Sequence, residues 1–154
     1  TANYTFASPL SIGAILAGAR KNQVEKLFKY GIYLGRAFQI KDDILGMFGV
    51  KAKIGKSNLT DLQEAKKTIL IWYAYHNSKR KHKLAIKRIL AKRNIYKKDL
   101  LRMRKIVLAA GALDYAKKEV HALIRKALAI NKGSQMHLKY RQSLDSYTRK
   151  LLSL

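Results

Sequence analysis

Two adjacent carboxylates stand inside an apolar stretch, AFQIKDDILGMFG, which runs from Ala37 to Gly49. Gln39, Asp42, Asp43 and Gly46 have the spacing i, i+3, i+4 and i+7, so a helix places them on one face about two turns long. Two carboxylates held close together repel each other unless a cation or a proton intervenes. A hard cation solves this, and Mg²⁺ favours few carboxylates together with water and phosphate oxygens.

Lysines follow this acid pair in the chain: Lys56, Lys66 and Lys67. Carboxylates with lysines near them are typical of a metal-bridged phosphate or diphosphate site, where the lysines stabilise charge on the leaving group. The alternative is that both carboxylates lie on a solvated stripe and pair with Lys41 or Arg36. The residues alone leave both interpretations open.

Helical patterns dominate the elements that must position this pair. The apolar period predicts one long helix from Asn22 to Phe48. Before it, Ser8 is predicted as the N-cap of a short helix with Pro9 at its first position. After it, we expect a loop over Gly49–Asn58, and then one helix that starts at Thr60 or Asp61 and ends near Asn77.

The segment from Lys79 to Lys105 holds thirteen Lys or Arg residues and one acid, Asp99. Its apolar residues predict two short amphipathic helices joined around Arg93–Tyr96. The basic segment has three interpretations: a solvated face, an anionic membrane surface site, or a nucleic-acid site. Two further helices are predicted, over Asp114–Ile130 and Met136–Leu152, and no strand.

The composition limits the class of protein. The chain has 154 residues, no cysteine and a formal net charge of +24. The absence of cysteine excludes a disulfide scaffold and favours a reducing, cytoplasmic location. The chain is long enough for a single domain, covering residues 1–154. It begins without Met and inside what looks like a motif, so we expect a fragment. The four histidines lack metal-ligand spacing.

Four blocks resemble the trans-isoprenyl diphosphate synthase family, the polyprenyl synthetases: YTFASPLSIGAILAGA, YGIYLGRAFQIKDDILGMFG, IGKSNLTDLQEAKKTIL and AAGALDYAKKEV. They lie in the family's order and at its spacing. The resemblance implies an all-α helical bundle, the C-terminal part of the isoprenoid synthase fold. It also implies prenyl transfer: an allylic diphosphate ionises with the help of Mg²⁺, and isopentenyl diphosphate attacks the cation.

The resemblance also assigns roles to residues. Asp42 is the principal metal ligand and Asp43 supports the site through water. Gln39 lies beside the reacting carbons. Lys56 and Lys66 approach the diphosphate, and these lysines with Gln39 are the implied catalytic residues. The residues implied to bind substrate are Thr1, Tyr4, Phe38, Gln39, Lys56 and Lys66.

The sequence departs from the family in ways that matter for activity. The family's first aspartate-rich motif lies in an N-terminal half that has no counterpart here, so we expect no condensation by this chain alone. Gly46 replaces the last acid of D-D-x-x-D, and Ala65 replaces the glycine before Lys66. The expected partners are both diphosphates, a second copy or a complementing N-terminal half, and an anionic membrane surface. The alternative function is a basic helical protein that binds nucleic acid or anionic membrane without catalysis.

Overall fold

The computed structural model describes residues 2–49 and 60–152, which form helices and no strand. A π-helix spans Ala2–Ala7. The α-helices are α1 (Ser8–Leu16), α2 (Lys21–Phe48), α3 (Thr60–Gln63), α4 (Ile69–Asn77), α5 (Arg80–Leu90), α6 (Lys97–Ala109), α7 (Ala112–Lys132) and α8 (Leu138–Leu152). The all-α prediction is confirmed, and the long helix begins within one residue of its predicted start. Most of the predicted loop Gly49–Asn58 lies outside the described residues.

Contacts divide the chain into two units, residues 1–41 with 118–154 and residues 42–117. In the first unit, α2 and α7 build the core from two apolar stripes: Tyr30, Leu34 and Ala37 on α2, and Val120, Leu123 and Ala127 on α7. Each stripe repeats every three or four residues, so its members share one helix face. The core of the first unit therefore lies where these two helix faces meet.

Glycines let the N-terminal segment approach α2 closely. A Cβ atom built on Gly31 would lie 2.5 Å from the Cα of Ala7, and one on Gly35 would lie 2.5 Å from the Cα of Ala2. No side chain fits at such distances. Gly31 and Gly35 thus mark a close crossing between the N-terminal segment and α2.

The start of α1 differs from the prediction. Ser8 is not an N-cap, because Ala7 already has helical dihedral angles and the turns of Ala2–Ala7 precede it. The Ser8 hydroxyl instead donates to Asn3 Oδ1 at 3.0 Å. Pro9 lies in the first turn of α1, as predicted. Since proline has no N–H to donate to a carbonyl four residues earlier, the change from π to α geometry falls beside it.

Buried hydroxyls tie α8 to α2 in the first unit. The hydroxyls of Tyr30 and Thr148 are hydrogen-bonded, and Tyr30 also donates to the carbonyl of Leu144 at 3.3 Å. Burial raises the pKa of the Tyr30 phenol; the nearby Asp145 carboxylate adds to this, while the Thr148 bond opposes it. The phenol therefore remains protonated and able to donate.

In the second unit, α4, α5 and α6 pack together around buried apolar side chains that include Leu70, Ile86, Met103 and Val107. The prediction of one helix from residue 60 to 77 is wrong. The chain leaves helical geometry after Gln63, and Thr68 starts α4 afresh by accepting a hydrogen bond from the Ile71 N–H at 3.4 Å. A threonine hydroxyl competes for backbone donors in this way at helix starts.

The junction between α5 and α6 falls in the predicted place. Asp99 lies in the first turn of α6, accepts from the Tyr96 N–H at 3.1 Å, and pairs with Lys92 Nζ at 2.6 Å. The hydrogen bond from Lys92, and then that from Tyr96, lower the pKa of the Asp99 carboxyl. Asp99, the single acid of the basic segment, is therefore already paired with neighbouring residues.

Within the described residues, no helix is both long and apolar enough to cross a bilayer.

Candidate functional site

The acid pair lies on the outer side of α2. Ile44 and Met47 are buried, whereas Asp42 is exposed and Asp43 is half-buried. Asp42 forms no ion pair with any residue that the structure describes, so its pairing with Lys41 or Arg36 is not seen. Because water still reaches Asp42, its charge carries little desolvation cost. A solvated carboxylate without a cationic partner remains available to a metal ion.

In the second unit, a residue of the basic segment, Arg104, contacts the end of α2. The Nε of Arg104 donates to the carbonyl of Met47 at 2.6 Å, and its guanidinium lies 6.0 Å from the ring centre of Phe48. The last carbonyls of a helix have no partner within the helix and carry partial negative charge, so a cation there stabilises the terminus. Arg104 therefore fixes the helix turn that follows the acid pair. Its spacing from buried Leu100 and Val107 indicates that Arg104 faces inward but does not identify its partner.

Residues Tyr4, Phe38 and Gln39 belong to the first unit. The Phe38 ring packs on Phe6 with 5.4 Å between centroids, which joins the N-terminal segment to α2 directly before Gln39. Gln39 is partly buried, whereas 86% of Tyr4 is exposed. The glycine crossing and this aromatic contact position the segment that carries Tyr4. Thr1 lies outside the described residues.

In the second unit, Lys66 occupies the turn between α3 and α4. Its Nζ lies 3.0 Å from Glu64 Oε2, and both side chains are about half exposed. Ala65, directly before it, has a φ of +48°, in the left-handed region that favours glycine. A glycine, which the resemblance implies at this position, would adopt this φ freely, whereas alanine holds the turn under strain. Lys56 lies outside the described residues.

Replacing Ala65 with glycine should stabilise the turn that carries Lys66. A Cβ atom in the left-handed region costs about 1 kcal/mol, and glycine removes most of that cost. We expect the free energy of unfolding in urea to rise by up to about 1 kcal/mol. Gly13→Ala is the matched control for glycine–alanine exchange, because Gly13 lies inside α1 with open space around it. If Ala65→Gly were less stable than the unchanged protein, the backbone of Ala65 would not be strained.

The donor set suits a magnesium ion that is shared with a phosphate group. Among the described residues there is no group of three or more His, Cys, Asp or Glu side chains that could hold a metal. Asp42 would supply one carboxylate to the ion, and Asp43 would support it through water. Mg²⁺ is commonly bound in this way, through one or two carboxylates and phosphates. The residues therefore fit a metal that binds together with its anionic ligand.

A cavity of about 440 Å³ lies elsewhere in the first unit, between the start of α2 and the end of α7. Its wall includes Leu27, Tyr30, Ile130 and Asn131. Of the predicted site residues that the structure describes, none lines it. It is therefore not part of the candidate site.

Comparison with known proteins shows the family to which the chain belongs. The polyprenyl synthetase family model matches residues 1–107. The geranylgeranyl diphosphate synthase of Saccharolobus solfataricus is 33% identical over 151 residues, covering 94% of this chain and 46% of that protein. The geranylgeranyl diphosphate synthase of Sulfolobus acidocaldarius is 37% identical over 111 residues, covering 72% of this chain and 33% of that protein.

Solved structures of polyprenyl synthetases share the fold of this chain. The chain superimposes with a TM-score of 0.92 and 29% identity on a geranylgeranyl pyrophosphate synthase of Corynebacterium glutamicum, described as complexed with isoprenyl diphosphate and magnesium. The match covers 99% of this chain and 43% of that one. The chain thus spans less than half the length of these relatives. On the family match, the identities and the shared fold, this chain belongs to the polyprenyl synthetase family.

Proposed function

We propose that the chain contributes the metal- and diphosphate-binding helix of a prenyltransferase that condenses an allylic diphosphate with isopentenyl diphosphate. One observation supports this most: α2 presents the Asp42–Asp43 pair with Asp42 solvated and without an ion-pair partner among the described residues. The helix belongs to a fold shared with a synthase described as complexed with isoprenyl diphosphate and magnesium.

Two acids and two lysines of this chain would bind the metal ion and the diphosphate. Asp42 would hold Mg²⁺ directly, and Asp43 would orient water that surrounds it. Bound Mg²⁺ would supply positive charge against the diphosphate as it leaves. Lys56 and Lys66 would contribute fixed positive charge to the same group, which stabilises the charge that develops there.

Other residues would bind the organic part of the substrate. The amide of Gln39 would face the reacting carbons, and Phe38, Tyr4 and Thr1 would line the path of the allylic chain. Phe38 already packs on Phe6, so an apolar wall precedes Gln39 on α2. Such a wall excludes water, which would otherwise capture the allylic cation.

We further propose that this chain does not complete the reaction by itself. It contains one adjacent acid pair, Asp42 and Asp43, whereas the family's mechanism uses two aspartate-rich motifs. Full activity would then need a complementing N-terminal half. A homodimer is the assembly that the resemblance implies.

The test is calorimetric titration of the 154-residue chain with geranyl diphosphate, in Mg²⁺ and in EDTA. We expect binding in Mg²⁺ that weakens at least about tenfold in EDTA, because without the ion the carboxylates repel the diphosphate. A parallel assay with isopentenyl diphosphate should give no product. Equal binding of geranyl diphosphate in Mg²⁺ and in EDTA would refute the proposed metal site. Product formation by this chain would refute the proposal that it needs a complementing N-terminal half.

A further inference from the structure

The basic segment forms the surface of α5 and α6 in the second unit. Of its thirteen Lys and Arg residues, eleven are exposed. Asp99, its one acid, is buried and paired with Lys92. Positive charge is thus concentrated on two packed helices without a compensating exposed carboxylate. Such a surface attracts anions strongly.

A groove between these helices concentrates the charge further. It has a volume of about 290 Å³, and its polar wall is formed by Lys81, His82, Arg102 and Lys105. Alanine and isoleucine side chains complete the wall, and no acidic residue among the described ones lines it. Ammonium and guanidinium groups around a small hollow suit a phosphate group, to which arginine can donate two parallel hydrogen bonds.

Exposed leucines lie among these cations. On α5, Leu84 stands between Lys81 and Arg88 at helical spacing, and 46% of it is exposed. On α6, Leu101, Lys105 and Leu108 follow one stripe, with the leucines 47% and 53% exposed. Helices that lie in a membrane interface combine cations with apolar side chains in this way, because the leucines enter the boundary between headgroups and acyl chains.

The aromatic rings nearby are less suited to nucleic acid. The ring of Tyr75 is already covered by Lys83 and Lys87, whose Nζ atoms lie 5.8 and 5.6 Å from its centre. Tyr96 has Lys98 at 5.9 Å. Binding of single strands uses aromatic faces that are open for base stacking. The covered ring of Tyr75 together with the exposed leucines favours a lipid surface over a nucleic acid.

We propose that the exposed surface of α5 and α6 docks on an anionic phospholipid bilayer, with the groove at Lys81 and Lys105 receiving a headgroup phosphate. This proposal rests on the second unit alone and does not depend on the proposed catalytic site. Docking would hold the protein beside the phase into which long apolar molecules partition.

Sedimentation of the full chain with vesicles tests the proposal. One set of vesicles contains phosphatidylcholine alone, and the other contains phosphatidylglycerol as well. Each cation near an anionic surface contributes noticeably to binding, so we expect at least about tenfold tighter binding to the anionic vesicles. The double variant Lys81→Glu/Lys105→Glu should lose at least about tenfold of this affinity.

Matched variants distinguish binding by the α5 and α6 surface from nonspecific attraction by the net charge of the chain. Lys21→Glu/Lys132→Glu changes the net charge equally at exposed positions of the first unit, and its binding should change less than about threefold. Leu84→Ser/Leu108→Ser should weaken vesicle binding and leave heparin binding unchanged. Circular dichroism checks that each variant folds.

Three outcomes would overturn the proposal. The first is equal binding to neutral and anionic vesicles. The second is an equal loss in the Lys21/Lys132 variant. The third is no vesicle binding together with tight RNA binding that the Lys81/Lys105 variant loses, which would assign the surface to nucleic acid.

Discussion

Asp42→Ala should weaken the Mg²⁺-dependent binding of geranyl diphosphate by at least about tenfold, since changes even to residues that only support a metal ligand cost 10- to 100-fold. Asp42 is the solvated member of the acid pair and forms no ion pair among the described residues. Its substitution therefore removes the proposed metal ligand without breaking a contact of the fold. Titration calorimetry in Mg²⁺ and EDTA measures the effect.

Two variants make the result specific. Asp114→Ala removes another exposed carboxylate, in the first turn of α7, and should leave diphosphate binding unchanged. It should cost only a few tenths of a kcal/mol in stability, from the lost interaction with the helix dipole. Asp42→Asn keeps the shape of the side chain but removes its charge, and should bind almost as poorly as Asp42→Ala. Unchanged binding by both Asp42 variants would exclude this residue as a metal ligand.

Gly31→Ala should destabilise the protein by about 3 kcal/mol, at the upper end of overpacking costs. The new Cβ atom would lie 2.5 Å from the Cα and 2.8 Å from the backbone nitrogen of Ala7. Both are backbone atoms, so no side-chain rotation relieves the overlap. The N-terminal segment must move away from α2, and the contact between Phe6 and Phe38 should weaken with it.

Urea unfolding measures this change, and Gly13→Ala is the control. Gly13 lies inside α1 and an added Cβ atom there meets nothing within 4 Å. Alanine is a better helix former than glycine, so this control should gain about 0.5–1 kcal/mol. Equal changes in the free energy of unfolding for Gly31→Ala and Gly13→Ala would show that the N-terminal segment does not require a glycine at position 31.

Several features were predictable because they depend on neighbours along the chain. The long apolar period predicted the bounds of α2 almost to the residue. The adjacency of Asp42 and Asp43 identified the candidate metal ligands. Helical periodicity and side-chain spacing are local properties, which a sequence displays directly.

Other features were missed because helical periodicity does not show them. The break before α4 depends on the Thr68 hydroxyl accepting a backbone hydrogen bond instead of the helix continuing. Nothing local indicates that Arg104 donates to the carbonyl of Met47, which lies 57 residues earlier in the chain. The left-handed turn at Ala65 is equally unexpected, since alanine prefers right-handed helix.

The amino-acid sequence by itself thus determined the all-helical class, the positions of most helices and which acids could bind a metal. Only the tertiary structure decided that Asp42 is solvated while its neighbours Ile44 and Met47 are buried, and that basic α5 and α6 enclose a groove. Periodicity shows which residues share a helix face, but burial and charge clustering arise only when separate helices pack together.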